Sequence, residues 1–193
     1  MMKMFIFIFF ALTSISLTQE CPPVDTLNIN ASQNLWNIPP ENRWNDIEVM
    51  TWNIRNFPIS NNTINYVNEI ITDIKPDIIA FQEINNSAAL NSLSNNIPAY
   101  NFISSGSGLV IATRIDVIEI VNWTTLFPSE GTNFAWRYPL SVQLNWLCGN
   151  KALSVEIINI HLKSGSTNDD FDRRYASCEK LAQYINDNPN KNI

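Results

Sequence analysis

The run of apolar segments predicts an α/β layered sandwich built around a mixed sheet. Two observations carry this reading: one early strand-helix-strand unit, then a series of strands joined as hairpins by short polar turns. Ile47 to Asn53 reads as a buried strand. Thr63 is the expected cap of a helix whose Ile64, Val67, Ile70, Ile71 and Ile74 recur at helical spacing until Pro76 stops it. Asp77 to Gln82 is a short apolar run that fits a second buried strand. Strands follow around Phe102 and over Leu109 to Thr113, with Ser105, Gly106, Ser107 and Gly108 as their turn. Val117 to Trp123, Tyr138 to Leu147 and Ala152 to Ile160 are read as three more, the last two joined through Gly149 and Asn150. A final helix is expected from Asp170 to Ile185, ended by Asp187, Asn188 and Pro189. The absence of an early Gly-x-Gly-x-x-Gly excludes a dinucleotide-binding fold.

The composition agrees with one globular domain. Of 193 residues, 45% are hydrophobic and 11% aromatic, enough to build a sizeable core. Five glycines and no repeat exclude collagenous, solenoid and propeller architectures. The formal net charge of -6 provides no global positive field, which argues against a passive nucleic-acid binder. It argues less against a hydrolase, because bound divalent cations supply positive charge locally.

The N-terminus reads as a secretory signal over residues 1–18. Lys3 precedes the unbroken apolar run Met4 to Leu12, small polar residues follow, and cleavage is expected after Thr18. That run is too short to span a bilayer. Residues 19–46, with Pro22, Pro23, Pro39 and Pro40, form the expected leader, and the domain runs from 47 to 193. Glu20 is a poor fit to lipidation at Cys21. Three cysteines, Cys21, Cys148 and Cys178, leave at least one unpaired within the chain. Cys148 follows the alternating series Val142, Leu144, Trp146, and Cys178 lies on the helical stripe Tyr175, Cys178, Leu181, Ala182, Ile185, so both thiols are expected to face the core.

Four segments place polar residues where an apolar run ends, the position from which a strand delivers them to one rim of a sheet. They are Met50-Thr51-Trp52-Asn53-Ile54-Arg55-Asn56-Phe57-Pro58, Asp77-Ile78-Ile79-Ala80-Phe81-Gln82-Glu83-Ile84, Arg137-Tyr138-Pro139-Leu140, and Ile158-Asn159-Ile160-His161-Leu162-Lys163-Ser164. In this order and spacing, from about Ile47 to Ile193, they resemble the endonuclease/exonuclease/phosphatase superfamily. The resemblance implies a DNase-I-like layered β-sandwich flanked by helices, present here as its front half.

The chemistry of each residue fits what the resemblance implies. Glu83 brings a hard carboxylate oxygen to the rim, suited to Mg²⁺ or Mn²⁺, and matches the family's metal-binding Glu; a bare charged residue after a strand would otherwise be a solvated loop start. Asn53, whose amide could donate to a phosphate oxygen or orient a metal-bound water, matches the family's Asn, and the resemblance implies a metal and catalytic role for it beside Glu83; elsewhere it would be read as a turn former. Gln82 either braces Glu83 or is a satisfied polar strand end. His161, the sole histidine, matches the family's phosphate-contacting His, with a possible role as acid toward the leaving oxygen. Arg137, in the arrangement Arg-x-Pro, carries a fork able to clamp two phosphate oxygens, the alternative being an exposed ion pair. Lys163, Arg173 and Arg174 resemble a subgroup with His-Leu-Lys followed by an Arg-rich helix, and are candidate substrate contacts or solvent-exposed cations.

One departure shapes the functional expectation. Family members carry a later Asp-x-Asn and a terminal Asp-His pair that complete the metal site and activate water, and the 193 residues contain neither. The reading is therefore a secreted, metal-dependent phosphodiester hydrolase, first a nuclease acting on nucleic acid, truncated before its catalytic apparatus is complete and inactive as the 193-residue chain. The alternatives are a phospholipid phosphodiesterase and a secreted non-catalytic binding module of the same fold.

Overall fold

The computed structural model describes residues 46–148 and 151–193. The expected signal sequence, the leader up to residue 45, Cys21, the side chain of Cys148 and the Gly149-Asn150 turn lie outside them. The elements in chain order are β1 (Val49–Phe57), α1 (Thr63–Ile74), β2 (Ile78–Ile84), α2 (Ser87–Asn96), β3 (Tyr100–Ser104), β4 (Leu109–Arg114), β5 (Ile118–Thr125), β6 (Leu140–Cys148), β7 (Lys151–Asn159) and α3 (Asn168–Asp187).

Seven strands form two sheets, a four-stranded one ordered β1-β2-β4-β3 and a three-stranded one ordered β5-β6-β7. β1 runs parallel to β2, as a strand-helix-strand unit requires, while β2, β4 and β3 pair antiparallel and make the sheet mixed. The three-stranded sheet is antiparallel throughout. The expected α/β layered sandwich is the observed architecture.

Alternation along the strands divides the core into two layers. Ile79, Phe81, Val110 and Ala112 meet Val67 and Ile71 of α1 and Ala89 and Leu93 of α2. Ile78, Ile103, Leu109 and Ile111 point the other way and meet Leu140, Val142, Leu144 and Trp146 of β6 between the sheets. β2 and β4 are therefore buried on both faces, which is why they read as continuous apolar runs.

Four expectations are corrected. β1 is an edge strand of its sheet, not a buried one, and Val49 is 54% exposed. Thr63 is the first helical residue and Asn62 the cap; the Thr63 hydroxyl instead accepts from Ser60 N–H at 3.0 Å. The helix ends where Lys75 turns left-handed (φ 53) and donates its N–H to Ile71. α2 was not anticipated, because its ten residues are mostly small or polar; Asn86 caps it by accepting from Ala89 N–H at 3.0 Å. Cys178 is an exposed free thiol, and Tyr175 and Ile185 on the same stripe are 58% and 48% exposed.

The reason for that last reversal lies in how α3 is held. Its inward side is the polar row Arg173, Ser177, Lys180, Tyr184. Arg173 donates to Thr132 O, Ser177 is fully buried, Lys180 pairs with Glu130 at 2.8 Å, and Tyr184 OH donates to Glu156 at 2.6 Å. Polar anchors, not the apolar stripe, set the rotation of the helix. Its start is a capping box between Thr167 and Asp170, and Gly165 (φ 117) is required there because a Cβ would lie 2.2 Å from Asp170 Oδ2.

Candidate functional site

Glu83 sits one residue from the end of β2, in the left-handed region at φ 70, a conformation that disfavours a side chain by about 1–2 kcal/mol. Two bonds from β1 hold its carboxylate: Asn53 Nδ2 donates to Oε1 at 3.1 Å and Asn56 N–H donates to Oε2 at 3.0 Å. Both donors depend on an irregularity between Asn53 and Phe57, where Arg55 and Asn56 also take positive φ and the β1-β2 register shifts. The bulge turns the edge strand inward and aims a backbone N–H at the carboxylate. Hydrogen bonding by Asn53, followed by Asn56 and the nearby His161 and Arg55, holds Glu83 below the ordinary carboxylate range against the opposing effect of burial. Glu83 is thus an anion at neutral pH.

His161 follows β7 and brings Nε2 to 3.7 Å from Glu83 Oε1. Arg137, half-buried, places NH1 3.1 Å from His161 Nδ1 and donates from NH2 to Leu162 O at 2.9 Å. A guanidinium only donates, so the nearer nitrogen Nδ1 accepts and the ring proton resides on Nε2, toward Glu83. Burial, followed by the charge of Arg137, lowers the His161 pKa, with Glu83 opposing. The ring is therefore neutral at pH 7 and offers an N–H, which weakens the expectation that it serves as a protonated acid. Arg137 Nε is buried without a protein partner, so the donors of its guanidinium nearest the cleft are those of the terminal nitrogens.

These groups line a cleft of about 220 Å³ formed by Asn56, Glu83, Asn85, Ser107, Arg137 and His161. The sequence reading brought Glu83, Arg137 and His161 to one rim, and the structure places them together. It missed Asn56, Asn85 and Ser107. The sequence marks Ser105 to Gly108 as a turn, but only the pairing of Gln82 with Leu109 puts that turn beside the end of β2. Gly108 (φ 82) lets that turn approach, since a Cβ there would lie 2.5 Å from Asn85 Oδ1.

The three further cations have their bonds within the protein. Lys163 pairs with Asp170 at 2.6 Å, Arg173 donates to Thr132 O, and Arg174 donates to Lys163 O and Gly165 O at 3.0 Å. Lys163 and Arg174 build the loop between β7 and α3, and Arg173 ties α3 to the loop between β5 and β6; none of the three lines the cleft. Gln82 is 8% exposed and faces the inter-sheet layer, where Nε2 donates to Asn159 Oδ1 at 2.7 Å.

Among the described residues no group of three or more His, Cys, Asp or Glu converges on one point. A divalent cation would have Glu83 as its carboxylate. Mg²⁺ retains several waters and needs only one or two protein carboxylates, so an ionised, partly exposed Glu83 in an open cleft fits it. Asn53 does not fit the ligand role expected of it. Its Oδ1 accepts Arg55 N–H at 3.0 Å and its amide nitrogen faces Glu83, so it orients the carboxylate instead of offering an oxygen to a cation.

A model of the endonuclease/exonuclease/phosphatase family matches residues 50–187. The chain belongs to that family. Among curated proteins none matches at a significant level. Solved structures of similar fold include D. rerio TDP2 complexed with single strand DNA product, at 17% identity and TM-score 0.59, covering 72% of this chain and 54% of that one. An endonuclease/exonuclease/phosphatase family protein from Bacteroides thetaiotaomicron shares 17% identity at TM-score 0.52, covering 72% and 58%. Truncated Caenorhabditis elegans TDP2 shares 23% at TM-score 0.50, covering 75% and 58%. At these identities the likeness is one of fold. The chain spans little more than half the length of each of these structures.

Proposed function

We propose that this chain carries the metal-binding and phosphate-contacting part of an exported phosphodiester hydrolase acting on nucleic acid. The observation that supports the reading most directly is the convergence, in one open cleft, of an ionised carboxylate with a guanidinium and a neutral imidazole N–H. A divalent cation held by Glu83 would neutralise phosphate charge and polarise its P–O bonds. Asn53 and Asn56 orient that carboxylate. Arg137 takes a non-bridging phosphate oxygen and His161 donates from Nε2 to another, which favours the more negative pentacoordinate transition state. Water adds to phosphorus, the bond to the leaving oxygen breaks, and that oxygen takes up a proton, giving a phosphomonoester and an alcohol. The family's water-activating Asp-x-Asn and Asp-His groups are not among the 193 residues, so this chain alone should bind cation and diester but turn over slowly or not at all. Export is supported by the apolar run Met4–Leu12 after Lys3, and sequencing the N-terminus of the mature product would test it.

Calorimetric titration of the chain with Mn²⁺ and Mg²⁺ tests the site. Glu83→Gln keeps the shape and removes the charge, so cation affinity should fall at least tenfold, while His161→Ala should leave it nearly intact. Equal affinities for parent and Glu83→Gln would refute the metal role. Cleavage assays on plasmid DNA, RNA and a phospholipid diester, with and without chelator, then separate the substrate classes. A non-catalytic binding module of the same fold is the alternative that these assays separate from a hydrolase. Tight diester binding with no cation dependence would support it.

A further inference from the structure

The two sheets are joined by a largely apolar layer, and at the end directly behind the cleft it is interrupted by two amides. Along β7, Val155, Ile157 and Asn159 share the inner face; along β2, Ile78, Ala80 and Gln82 do. Both strands end their inner rows on an amide, next to the functional residue each carries. Gln82 immediately precedes Glu83, and Asn159 stands two residues before His161.

Asn159 is 2% exposed and fully engaged. Its Nδ2 donates to Phe81 O at 2.7 Å and Val110 O at 3.0 Å, on two adjacent strands of the opposite sheet. Its Oδ1 accepts from Gln82 Nε2, which also donates to Ala80 O at 3.0 Å. For adhesion alone this arrangement has little advantage, since a buried hydrogen bond contributes only about 1 kcal/mol net and an apolar pair of the same volume would serve as well. Direction is what it adds. Dispersion contacts let one sheet slide on the other with small change in energy, whereas three short hydrogen bonds from one planar amide fix β7 against β2 and β4.

We propose that Asn159, with Gln82 as its partner, is a positioning residue that sets the separation of His161 from Glu83 by locking the two sheets in register at the rim. The proposal rests on the roles given above to Glu83 and His161, but its geometric content is independent of activity.

The test uses nuclear magnetic resonance on the 193-residue chain, in which His161 is the sole histidine and gives one set of ring signals. The parent should show a cross-peak between the His161 ring and the Glu83 side chain, together with a shift of the ring protons set by Arg137. Asn159→Ala should retain dispersed amide signals but lose the cross-peak and move the ring signals. Leu144→Ala opens the apolar layer between the same sheets without touching the amides. It should lower the melting temperature at least as much yet keep the cross-peak. If Asn159→Ala also keeps it, or Leu144→Ala also loses it, Asn159 acts only as core and the proposal is wrong. Should Asn159→Ala fail to fold, Gln82→Met decides: it leaves both carbonyl contacts of Asn159 in place, and an unweakened cross-peak overturns the proposal. A cross-peak lost in Asn159→Ala combined with unchanged Mn²⁺ affinity in Glu83→Gln would leave the positioning intact and remove the phosphodiesterase reading instead.

Discussion

The helices on the two sides of the sandwich are held by opposite means. α1 and α2 cover the four-stranded sheet with apolar side chains, and Ile71, Leu93 and Phe81 are completely buried there. α3 is tied to β7 through Tyr184 and to the loop between β5 and β6 through Lys180 and Arg173, while Phe171, Tyr175 and Ile185 face water. Glu156 on β7 is the centre of that attachment: 3% exposed, it accepts from Ser141 and Tyr184 and pairs with Lys191 at 2.8 Å. One side is stabilised by area removed from water, the other by a few directional bonds. The candidate site lies where the two sheets meet, so its precision depends on both kinds of support.

Substitutions should expose that contrast. Phe81→Ala empties the centre of the helix-covered layer and should cost about 3–5 kcal/mol, read as a fall in denaturation midpoint. Arg114→Met should be nearly as damaging, about 3–5 kcal/mol, because it strands Asp77, whose carboxylate is bonded to Arg114 NH1 at 3.1 Å with both side chains under a tenth exposed. If either variant melts like the parent, the four-stranded half is not the stable part of the molecule. Glu156→Gln should lose about 1–3 kcal/mol and speed amide exchange in α3 while sparing α1. Uniform loss of protection would mean that α3 is not separately tethered.

Acid should act on the cleft before the core. The folded state holds His161 below its ordinary value of 6.5, so the unfolded chain binds that proton first. Stability is therefore lost as pH falls below 6.5 through the folded value. Glu83, held below 4.5, adds a second loss at lower pH. Melting temperatures from pH 8 to pH 4 should decline, and His161→Gln should flatten the upper part of that decline; an unchanged profile would contradict the neutral, half-buried ring. The smallest effect is expected on the outer face of α3, where Phe171→Ser or Ile185→Ser should stay within about 0.5 kcal/mol. A larger loss in either would show that this face is covered in solution.

Much of this was readable from local pattern. The continuous apolar runs of β2 and β4 marked doubly buried strands, the alternation through Val142, Leu144 and Trp146 marked the inner face of β6, and the polar residues ending these runs located Glu83, Arg137 and His161 on one rim. α2 escaped because Ser, Ala and Asn give little periodicity, and β1 was misread because an apolar stretch does not say whether a strand has neighbours on both sides. The α3 stripe misled for a related reason: helical spacing defines a face but not which way it turns.

By itself, then, the sequence determined which segments other than α2 are strands and helices, which strand ends carry polar chemistry, and the family to which the arrangement belongs. Tertiary structure alone decided that Asn53 steadies the Glu83 carboxylate, that Lys163 and Arg174 secure the loop before α3 while Arg173 ties α3 to the loop between β5 and β6, that Asn56, Asn85 and Ser107 wall the cleft, and that Asn159 reaches across to Gln82. Periodicity is a property of neighbouring residues, set by backbone geometry within one element. The partner of a hydrogen-bonding side chain is set by which elements meet, often across 77 residues of chain as for Gln82 and Asn159, and only the folded packing supplies that.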